Sequence, residues 1–455
     1  MSEKDIVQKY NVQGPRYTSY PTVPYWDNNT FSLDGWKNSL QRSFNETNAS
    51  EGISLYIHLP FCESLCTFCG CNKRITQRHD VELPYIKALL KEWDLYVQMM
   101  SSRPAIKEIH IGGGTPTFFS PENITFLMKG LLRRAIILPD HEFSFEGHPN
   151  NTTEAHLEAL YDMGFRRVSF GVQDYNPQVQ KAIHRIQPFE NVKKVTDLAR
   201  KVGYTSIGHD LVFGLPFQTV DHVRETIQKT NMLSPERIAF YSYAHVPWIK
   251  GNGQRGFSEI DLPQASQKRT MYELGKELLQ ENGYYEIGMD HFALPSDTLC
   301  KASYSGALHR NFMGYTSSKT QLMIGLGVSA ISDSWYGFAQ NVKGVEEYQS
   351  LLEKNIIPVY RGHLLNEEDL IIRKHILNIM CRFKTSWNTE EGIFPELPEA
   401  LIQLKEMEND GLVEIGSNYI EVTEVGRPYV RNVCMAFDLR LQRKKPETRL
   451  FSMTV

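Results

Sequence analysis

The sequence has little that would suit a membrane protein or a nucleic-acid-binding protein. It contains no apolar run of about 18 residues, so we expect no transmembrane helix. Residues 1–22, MSEKDIVQKYNVQGPRYTSYPT, lack the apolar core of a secretory signal peptide. The formal net charge is −4, which disfavours nucleic acid as a partner. We therefore expect a cytoplasmic protein without a membrane or nucleic-acid partner, in which thiols stay reduced.

Cysteine is scarce, with seven in the chain, but four of them lie close together: Cys62, Cys66, Cys69 and Cys71. A disulfide is disfavoured where thiols stay reduced, and a structural zinc site would need a second pair of cysteines, which the sequence lacks. An iron–sulfur cluster fits better, because C-x-x-x-C-x-x-C supplies three thiolates from one short loop. Three thiolates around four irons leave one iron free to bind a small molecule. The other three cysteines are expected to pack as buried apolar side chains.

The cysteine loop lies between two segments with the pattern of β-strands. Residues 53–60, ISLYIHLP, predict a strand directly before the loop. Residues 106–116, IKEIHIGGGTP, predict a second strand that ends in three glycines and a threonine. Glycines let a backbone approach a ligand closely, and their amides can bind polar groups. Alone this turn would be weak evidence, but beside the cysteine loop it indicates a binding site.

Strand and helix patterns alternate along the chain up to about residue 250. Strands are predicted at 141–149, 166–176, 205–216 and 237–247, and helices at 121–135, 153–165, 189–204 and 219–233. This alternation predicts an α/β fold with a parallel sheet. Glu146, Gln173 and Asp210 fall where predicted strands end, and active sites of parallel barrels lie at the carboxyl ends of their strands. These three polar residues are therefore expected to share one pocket with the cysteine loop.

The pattern changes after about residue 340. Predicted helices are followed by VEIGSNYIEVTEVGR, which predicts a hairpin, and together they resemble a winged-helix unit. We expect a lid or packing role for this unit rather than DNA binding. The sequence thus predicts three parts: an N-terminal segment at 1–50, a catalytic α/β part at 51–335, and a mostly helical, winged-helix-like domain at 336–455.

The spacing Cys62-x-x-x-Cys66-x-x-Cys69, with Phe68 before the last cysteine, resembles the signature of radical S-adenosylmethionine (SAM) enzymes. The resemblance narrows to the oxygen-independent coproporphyrinogen III oxidases and runs along essentially the full chain. The segments that carry it are GPRYTSYPT (14–22), CTFCGCNKR (66–74), GVQDYN (171–176), GHDLVFGLP (208–216), SYAHVP (242–247), GMDHFALP (288–295), LHRNFMGYT (308–316) and GVSAIS (327–332). It implies a partial (β/α)6 radical SAM barrel at 51–335, an N-terminal extension that covers the substrate, and a mostly helical C-terminal domain.

The same resemblance implies an activity, cofactors and partners. Members convert coproporphyrinogen III to protoporphyrinogen IX in haem biosynthesis, by oxidative decarboxylation of two propionates to vinyl groups. The implied cofactors are a [4Fe–4S] cluster and two molecules of SAM, from which the reduced cluster generates a 5′-deoxyadenosyl radical. The implied partners are a reductant protein such as flavodoxin or ferredoxin and an electron acceptor of unknown identity. We expect a monomer.

Matching the family motifs residue by residue implies roles for the site residues. Cys62, Cys66 and Cys69 would bind the cluster, whereas Cys71 would act in catalysis without ligating it, together with Tyr56. Contacts to the SAM that chelates iron are implied for Tyr56, Gly113, Glu146 and Ile331. Contacts to a second SAM are implied for Phe68, Gly114, Thr115, Gln173, Arg185, Asp210 and Ala244.

Two positions depart from the family pattern. Met313 stands where glutamine is expected beside the second SAM, and methionine cannot donate an amide hydrogen bond. After Glu146 the sequence is Gly147-His148-Pro149, where the family has a hydrophobic residue followed by Asp-Pro. Both departures concern the second SAM and the substrate, and neither concerns the cluster ligands.

A substrate with four propionates is expected to meet cationic side chains. The candidates are Arg16, Arg74, His291, His309 and Arg310, each of which could instead be an ordinary hydrogen-bonded or surface residue. Tyr17, Tyr20 and Tyr25 suit a flat macrocycle, or they pack the N-terminal segment against the rest of the protein.

Two other functions are compatible with the cysteine loop. One is a haem-binding chaperone of the same superfamily, whose relatives usually follow the loop with Asp-Phe rather than Gly70-Cys71-Asn72. The other is a radical SAM methyltransferase acting on haem, whose N-terminus differs from GPRYTSYPT. Analysis of the porphyrin product separates these possibilities.

Overall fold

The computed structural model describes residues 3–247, 253–254, 256–388, 392–446, 448 and 450–454. Its strands, in chain order, are β1 (Ile53–Leu59), β2 (Phe61–Cys62), β3 (Arg74–Ile75), β4 (Ala105–Gly113), β5 (Ile136–Gly147), β6 (Arg167–Gln173), β7 (Ser206–Phe213), β8 (Arg237–Ser242), β9 (Tyr285–Gly288), β10 (His291–Ala293), β11 (His309–Asn311), β12 (Gly314–Thr316), β13 (Leu322–Leu326), β14 (Ile331–Ser334), β15 (Gly337–Asn341), β16 (Val359–Leu364), β17 (Lys384–Ser386), β18 (Val413–Ile415) and β19 (Tyr419–Val422). Within the described ranges, no helix has the length and apolar character needed to cross a membrane.

The helices lie between these strands and after them. In chain order they are α1 (Glu3–Tyr10), α2 (Leu33–Thr47), α3 (Glu82–Val97), α4 (Pro121–Leu132), α5 (Glu154–Asp162), α6 (Pro177–Ala182), α7 (Phe189–Val202), α8 (Val220–Leu233), α9 (Ala265–Glu281), α10 (Thr298–Ser305), α11 (Val345–Glu353), α12 (Glu367–Arg382), α13 (Leu397–Asn409), α14 (Val430–Phe437) and α15 (Leu439–Arg443).

One large sheet carries the site. Its strand order is β16-β15-β14-β13-β1-β4-β5-β6-β7-β8-β10-β9. The six strands β1, β4, β5, β6, β7 and β8 run parallel to one another. The expected α/β fold with a partial (β/α)6 barrel is confirmed. The antiparallel strands on both sides, β14 to β16 and β9 with β10, were not predicted.

Alternation along β1 shows how the sequence builds the barrel wall. Ile53, Leu55, Ile57 and Leu59 are fully buried in the main apolar core together with residues of the flanking helices. Successive side chains of a strand point to opposite faces, so the residues between them, among them Tyr56, point to the other face of the sheet. Burial of the apolar residues fixes the register of the strand. The residues between them therefore face the inside of the barrel.

Charged side chains fill the amino-terminal end of the barrel interior. Glu142 forms ion pairs with Arg167 at 3.2 Å and with Arg237 at 3.4 Å. Arg237 also forms an ion pair with Asp297 at 2.7 Å. Burial alone would raise the pKa of Glu142, but the two guanidinium groups outweigh it and hold this pKa at about 2. Buried charges need such partners, and this network closes the floor beneath the functional site.

The C-terminal region has its own core and a three-stranded sheet of order β17-β19-β18. Helix α12, strand β17, helix α13 and the hairpin β18–β19 follow one another in the order of a winged helix. The large sheet continues through β15 and β16 to Leu364, beyond the domain boundary predicted at 335. Helix α2 of the N-terminal segment packs on β13 to β16. The domain boundaries at 50 and 335 remain predictions.

Candidate active site

The cysteine loop is fixed by backbone contacts on both of its sides. Strand β2, which ends at Cys62, pairs in parallel with β3. The Thr67 amide donates to the Ile183 carbonyl at 3.0 Å, and the Cys69 amide donates to the Cys66 carbonyl at 3.2 Å. The loop is thus held to the end of helix α6, and its first three cysteines are half-buried.

Two of these three sulfurs have a neighbouring hydrogen-bond donor. The Thr115 hydroxyl donates to Cys62 Sγ at 3.4 Å, and Arg185 Nη1 donates to Cys66 Sγ at 3.7 Å. Interaction with the nearby Cys71 thiol lowers the pKa of Cys69 and raises that of Cys71. Donors of this kind favour the thiolate form that metals bind. Burial acts in the opposite direction on Cys62 and raises the pKa of its thiol to about 11.

The arrangement fits an iron–sulfur cluster better than a single ion. Nowhere in the described ranges do three His, Cys, Asp or Glu side chains converge as they would around one metal ion. A cluster of four irons is wider than one ion, so three thiols on one loop can reach its corners without meeting each other. The buried Arg185 Nε has no hydrogen-bond partner among the described residues, which leaves a donor beside Cys66 for an anionic group.

Tyr56 and His58 lie side by side on the inner face of β1. The His58 Nε2 atom contacts the Asn72 carbonyl at 2.9 Å, and since a carbonyl only accepts, Nε2 carries the proton. Burial lowers the pKa of His58, so the ring is neutral and its Nδ1 accepts from the Tyr56 hydroxyl at 3.0 Å. This hydrogen-bond chain ties the cysteine loop to β1.

The glycine turn is required by close packing. Gly113 has φ +118°, and a Cβ there would lie 2.9 Å from the His58 ring. A Cβ at Gly114 would lie 2.6 Å from the Pro60 carbonyl. The turn therefore packs directly against His58 and against Pro60 at the start of the cysteine loop.

Glu146, near the end of β5, and Asp210, within β7, face a small cavity of about 90 Å³ inside the barrel, which extends down to Arg167 and Arg237. Glu146 Oε2 accepts the Gly113 amide at 3.3 Å, and its Oε1 lies 3.4 Å from His110 Nε2. Burial and the nearby Glu146 carboxylate raise the pKa of Asp210 to about 7. Asp210 is thus able to hold or release a proton near neutral pH. Met313 also lines this cavity.

Gln173 and Arg185 meet over a glycine on the next strand. Arg185 Nη2 donates to the Gly171 carbonyl at 2.7 Å. A Cβ at Gly171 would lie 2.6 Å from Gln173 Nε2 and 2.9 Å from Arg185 Nη2. Gln173 itself has φ +68°, a conformation uncommon for a residue with a side chain. The strand end is therefore shaped to bring an amide and a guanidinium group to the edge beside Cys66.

The site residues predicted for the two SAM molecules lie along this edge, and the two sets adjoin, since Gly114 follows Gly113 and Asp210 lines the same cavity as Glu146. The first lies on or beside β1, β4, β5 and β14: Tyr56, Gly113, Glu146 and Ile331. Ile331 is adjacent because Gly325, the partner of Tyr56 in β13, packs against the Ile331 backbone. The second group lies on the cysteine loop, on the turn after β4, on β6 and β7, and on the segments after α6 and β8: Phe68, Gly114, Thr115, Gln173, Arg185, Asp210 and Ala244.

A residue that the sequence did not single out joins two parts of the second group. Gln254 Nε2 donates to the Phe68 carbonyl at 3.1 Å and to the Ala244 carbonyl at 3.0 Å. It thereby links the cysteine loop to the segment after β8. It lies beyond residue 250, where the alternation of strand and helix patterns ends, and a lone glutamine carries no sequence signal for such a role.

Five residues were predicted as cations that meet the substrate. Arg16 agrees with the prediction in part, because it lines a pocket but forms an ion pair with Asp290. Burial lowers the pKa of both His291 and His309 to about 3, so neither is a cation. Arg310 is buried and donates to the backbone carbonyls of Arg16 and Tyr17. Arg74 is exposed and pairs with Glu346 at 3.0 Å.

The tyrosines of the N-terminal segment are packed rather than open. Tyr17 and Tyr20 are buried in the C-terminal core, and the Tyr17 hydroxyl donates to Asp438 at 3.1 Å. Tyr25 stacks near Phe451 with a centroid distance of 6.3 Å. Packing of the segment, one of the two roles predicted for these residues, is therefore the role seen for Tyr17 and Tyr20.

Comparison with known proteins agrees with this geometry. The sequence model of the radical SAM superfamily matches residues 56–230. An oxygen-independent coproporphyrinogen III oxidase of Helicobacter pylori is 38% identical, covering 95% of this chain and 96% of the relative. Those of Pseudomonas aeruginosa and Escherichia coli are each 36% identical, covering 96% and 99% of this chain and 95% and 98% of the relatives. This chain belongs to the oxygen-independent coproporphyrinogen III oxidases.

A solved structure of the same family extends the likeness to three dimensions. Coproporphyrinogen III oxidase (HemN) from Escherichia coli, described as a radical SAM enzyme, superposes with a TM-score of 0.87 at 35% identity. The match covers 93% of this chain and 97% of that one. The Escherichia coli enzyme therefore has the same fold over nearly its whole length.

Proposed function

We propose that this protein converts coproporphyrinogen III to protoporphyrinogen IX without oxygen, as a radical SAM enzyme of haem biosynthesis. The observation that carries the proposal is the three-cysteine loop, placed beside the Gly113 turn and the polar ends of β5 to β7 in a chain related to these oxidases over its full length. Each of two propionates loses a hydrogen atom, one molecule of CO2 and one electron, and becomes a vinyl group.

The residues present fit the family's cofactors, a [4Fe–4S] cluster and SAM. Cys62, Cys66 and Cys69 would ligate the cluster, with Thr115 and Arg185 donating to its sulfur ligands. When bound, the cluster and SAM supply a radical that removes a hydrogen atom from a propionate side chain.

We assign the two groups of edge residues to two SAM molecules. The first group, Tyr56, Gly113, Glu146 and Ile331, would hold the SAM that chelates iron. The second group, which includes Gln173, Arg185 and Asp210, would hold another. The orphaned Arg185 Nε supports this assignment, because a guanidinium group binds a carboxylate with two parallel hydrogen bonds. Met313 offers no amide donor to a second SAM, and Gln173 and Asp210 would have to supply its polar contacts.

The protein's own part is to bind, orient and exclude water. Tyr56 and Cys71 are proposed as catalytic residues. Tyr56 keeps its hydroxyl proton, because burial raises its pKa well above the usual value. Cys71 keeps its thiol proton, because interaction with Cys69 and burial raise its pKa above the usual value, and it is the exposed cysteine of the loop. A reductant protein such as flavodoxin or ferredoxin would deliver electrons, a separate acceptor would receive those released, and we propose that the protein acts as a monomer.

Anaerobic turnover tests the proposal. The protein is reconstituted with iron and sulfide, reduced, and given SAM and coproporphyrinogen III, and the porphyrins are separated by chromatography. We expect protoporphyrinogen IX with 5′-deoxyadenosine, and neither product from Cys66→Ala, which should also lack the cluster absorbance. Stoichiometric haem binding without a vinyl product would indicate a chaperone instead, and a methylated haem product would indicate a methyltransferase.

A further inference from the structure

A larger pocket of about 400 Å³ opens next to the second group of site residues. Ala244, at the end of the β8 segment, lines both this pocket and the edge described above. Helix α9, the loop before β10, the N-terminal segment and residues 451–454 supply the other walls. We call it the cationic pocket, because four positive side chains line it: Arg16, Lys268, Arg269 and Arg431.

Two of the four cations are neutralised locally. Arg16 pairs with Asp290, which also lines the pocket, and Arg269 pairs with Glu273 one turn along α9. A further carboxylate of the lining, Glu259, is 79% exposed and lies 3.9 Å from His245. Throughout the described part of the chain, no carboxylate lies within ion-pair distance of the other two cations, Lys268 and Arg431.

Lys268 is held with its ammonium group at the pocket. Its Nζ donates to the Tyr243 carbonyl at 3.0 Å. Its side chain lies across Gly214, where a Cβ would come within 2.7 Å of Lys268 Cε. Burial and the charge of Arg16 lower the pKa of Lys268 to about 8. An ammonium group has three donors, so two remain for a ligand.

The hydrogen-bond acceptors of Arg431 are neutral groups. It is buried and donates to the carbonyls of Gly14, Pro15 and Met453. These acceptors carry no charge, and burial lowers the pKa of Arg431 to about 9, with Arg16 acting in the same direction and Asp290 against it. The N-terminal end of α9 also borders the pocket at Gln264 and Ala265 and adds positive potential.

We propose that the cationic pocket binds a propionate carboxylate of the porphyrinogen, with Lys268 as its donor. Apolar wall residues Phe213, Tyr272 and Met289 stand beside the cations, a combination that suits a pyrrole ring carrying a propionate. The inference rests on the proposed function for the identity of the tetracarboxylate. The methionyl carboxylate of SAM has the same chemistry, and the experiment separates the two.

Coproporphyrin III, the oxidised fluorescent tetracarboxylate, serves as the probe for binding to the reconstituted enzyme without turnover. We expect Lys268→Gln to raise its Kd about tenfold or more, the range of a hydrogen bond to a charged group. Lys268→Arg keeps the charge and should stay within about threefold of wild type. The exposed Lys201, changed to Gln, is the control and should leave the Kd unchanged. SAM affinity should be equal in all four proteins.

The outcomes separate this inference from the proposed function. If Lys268→Gln left the Kd for coproporphyrin III unchanged, the assignment of a propionate to this pocket would be wrong while the proposed function stands. The same conclusion would follow if an active Lys268→Gln enzyme had the wild-type KM for coproporphyrinogen III. A fall in SAM affinity instead would overturn it by assigning the pocket to SAM. Absence of vinyl product from wild type, with Lys268-dependent porphyrin binding intact, would support the pocket and count against the proposed function.

Discussion

Cys71 differs from the three cysteines before it in what its side chain can do. It is exposed, whereas they are half-buried, and it follows Cys69 by two residues, directly before Asn72, whose carbonyl contacts His58 of β1. Interaction with the Cys69 thiol raises the pKa of Cys71. A side chain in this position can act on a ligand next to the cluster without holding the cluster itself.

Replacing Cys71 should therefore separate cluster assembly from oxidation. We expect Cys71→Ala to retain the visible absorbance of the cluster and to lose nearly all formation of protoporphyrinogen IX. Absorbance spectra of the reconstituted protein and chromatography of the porphyrins measure the two properties. A variant that cannot assemble the cluster would show that Cys71 is a ligand or a structural residue.

Asp210 should make the stability of the cofactor-free protein depend on pH. Its pKa is about 7 in the folded protein and 3.8 for the ordinary group, so between these values the folded state holds a proton that the unfolded state has released. The stabilisation from that proton is full below 3.8 and is lost as the pH rises to about 7. Between pH 5 and pH 8, Asp210→Asn should gain about 2 kcal/mol relative to wild type.

Urea denaturation of both proteins at the two pH values measures this difference. Every other group titrates in both, so the comparison isolates Asp210. A difference that stays constant from pH 5 to pH 8 would mean that Asp210 is ionised throughout.

Neighbouring strands bring the site together through register. Tyr56 on β1 is opposite His110 on β4, and His110 is opposite Ser144 on β5, two residues before Glu146. The rings of Tyr56 and His110 lie nearly parallel with centroids 6.1 Å apart. Since the apolar faces of these strands are locked in the core, a disturbance at the glycine turn cannot be absorbed by sliding a strand.

Gly113→Ala should therefore harm SAM binding beyond its cost to the backbone. The added methyl group would meet the His58 ring at 2.9 Å and would also stand at φ +118°. Gly306 is a matched control, because it has φ +72° and open space around its Cβ position. We expect Gly306→Ala to cost about 1 kcal/mol of unfolding free energy and leave SAM affinity unchanged. Gly113→Ala should cost more and should weaken SAM binding; equal effects would show that contact with His58 is unimportant.

The sequence predicted the elements that follow local periodicity and missed those that depend on distant partners. The alternation from β1 to β8 and the polar strand ends are local patterns, and they placed Glu146 and Gln173 at strand ends, whereas Asp210 lies within β7. Strands β13 to β16 have four to six residues, too few to show a period, and their pairing is set by the rest of the sheet. In the sequence, Lys268 is an ordinary lysine of a polar helix. Its place in the cationic pocket depends on the N-terminal segment, which is distant in sequence.

The two ends of the described chain meet beside the cationic pocket. Gln13 and Met453 form an antiparallel bridge, and the Thr454 amide donates to the Val12 carbonyl at 2.7 Å. Arg431 of α14 holds both segments through their carbonyls. One wall of the pocket is thus formed by two segments that lie more than 400 residues apart in sequence. Access to the pocket therefore depends on how these two segments pack against the barrel.

Gly14→Val should loosen this docking and raise the KM for coproporphyrinogen III several-fold. A Cβ at Gly14 would lie 2.7 Å from Thr454 Cγ2 and 2.8 Å from Met435 Sδ, so the added side chain must displace residues 452–454. Hydrogen exchange should become faster at the Thr454 and Gly14 amides, while cluster absorbance and SAM affinity stay unchanged, because neither site touches this wall. Gly344→Val, whose nearest neighbour would be 3.8 Å away, is the control. Faster exchange at the two ends with an unaltered KM would show that the substrate does not use this wall of the pocket.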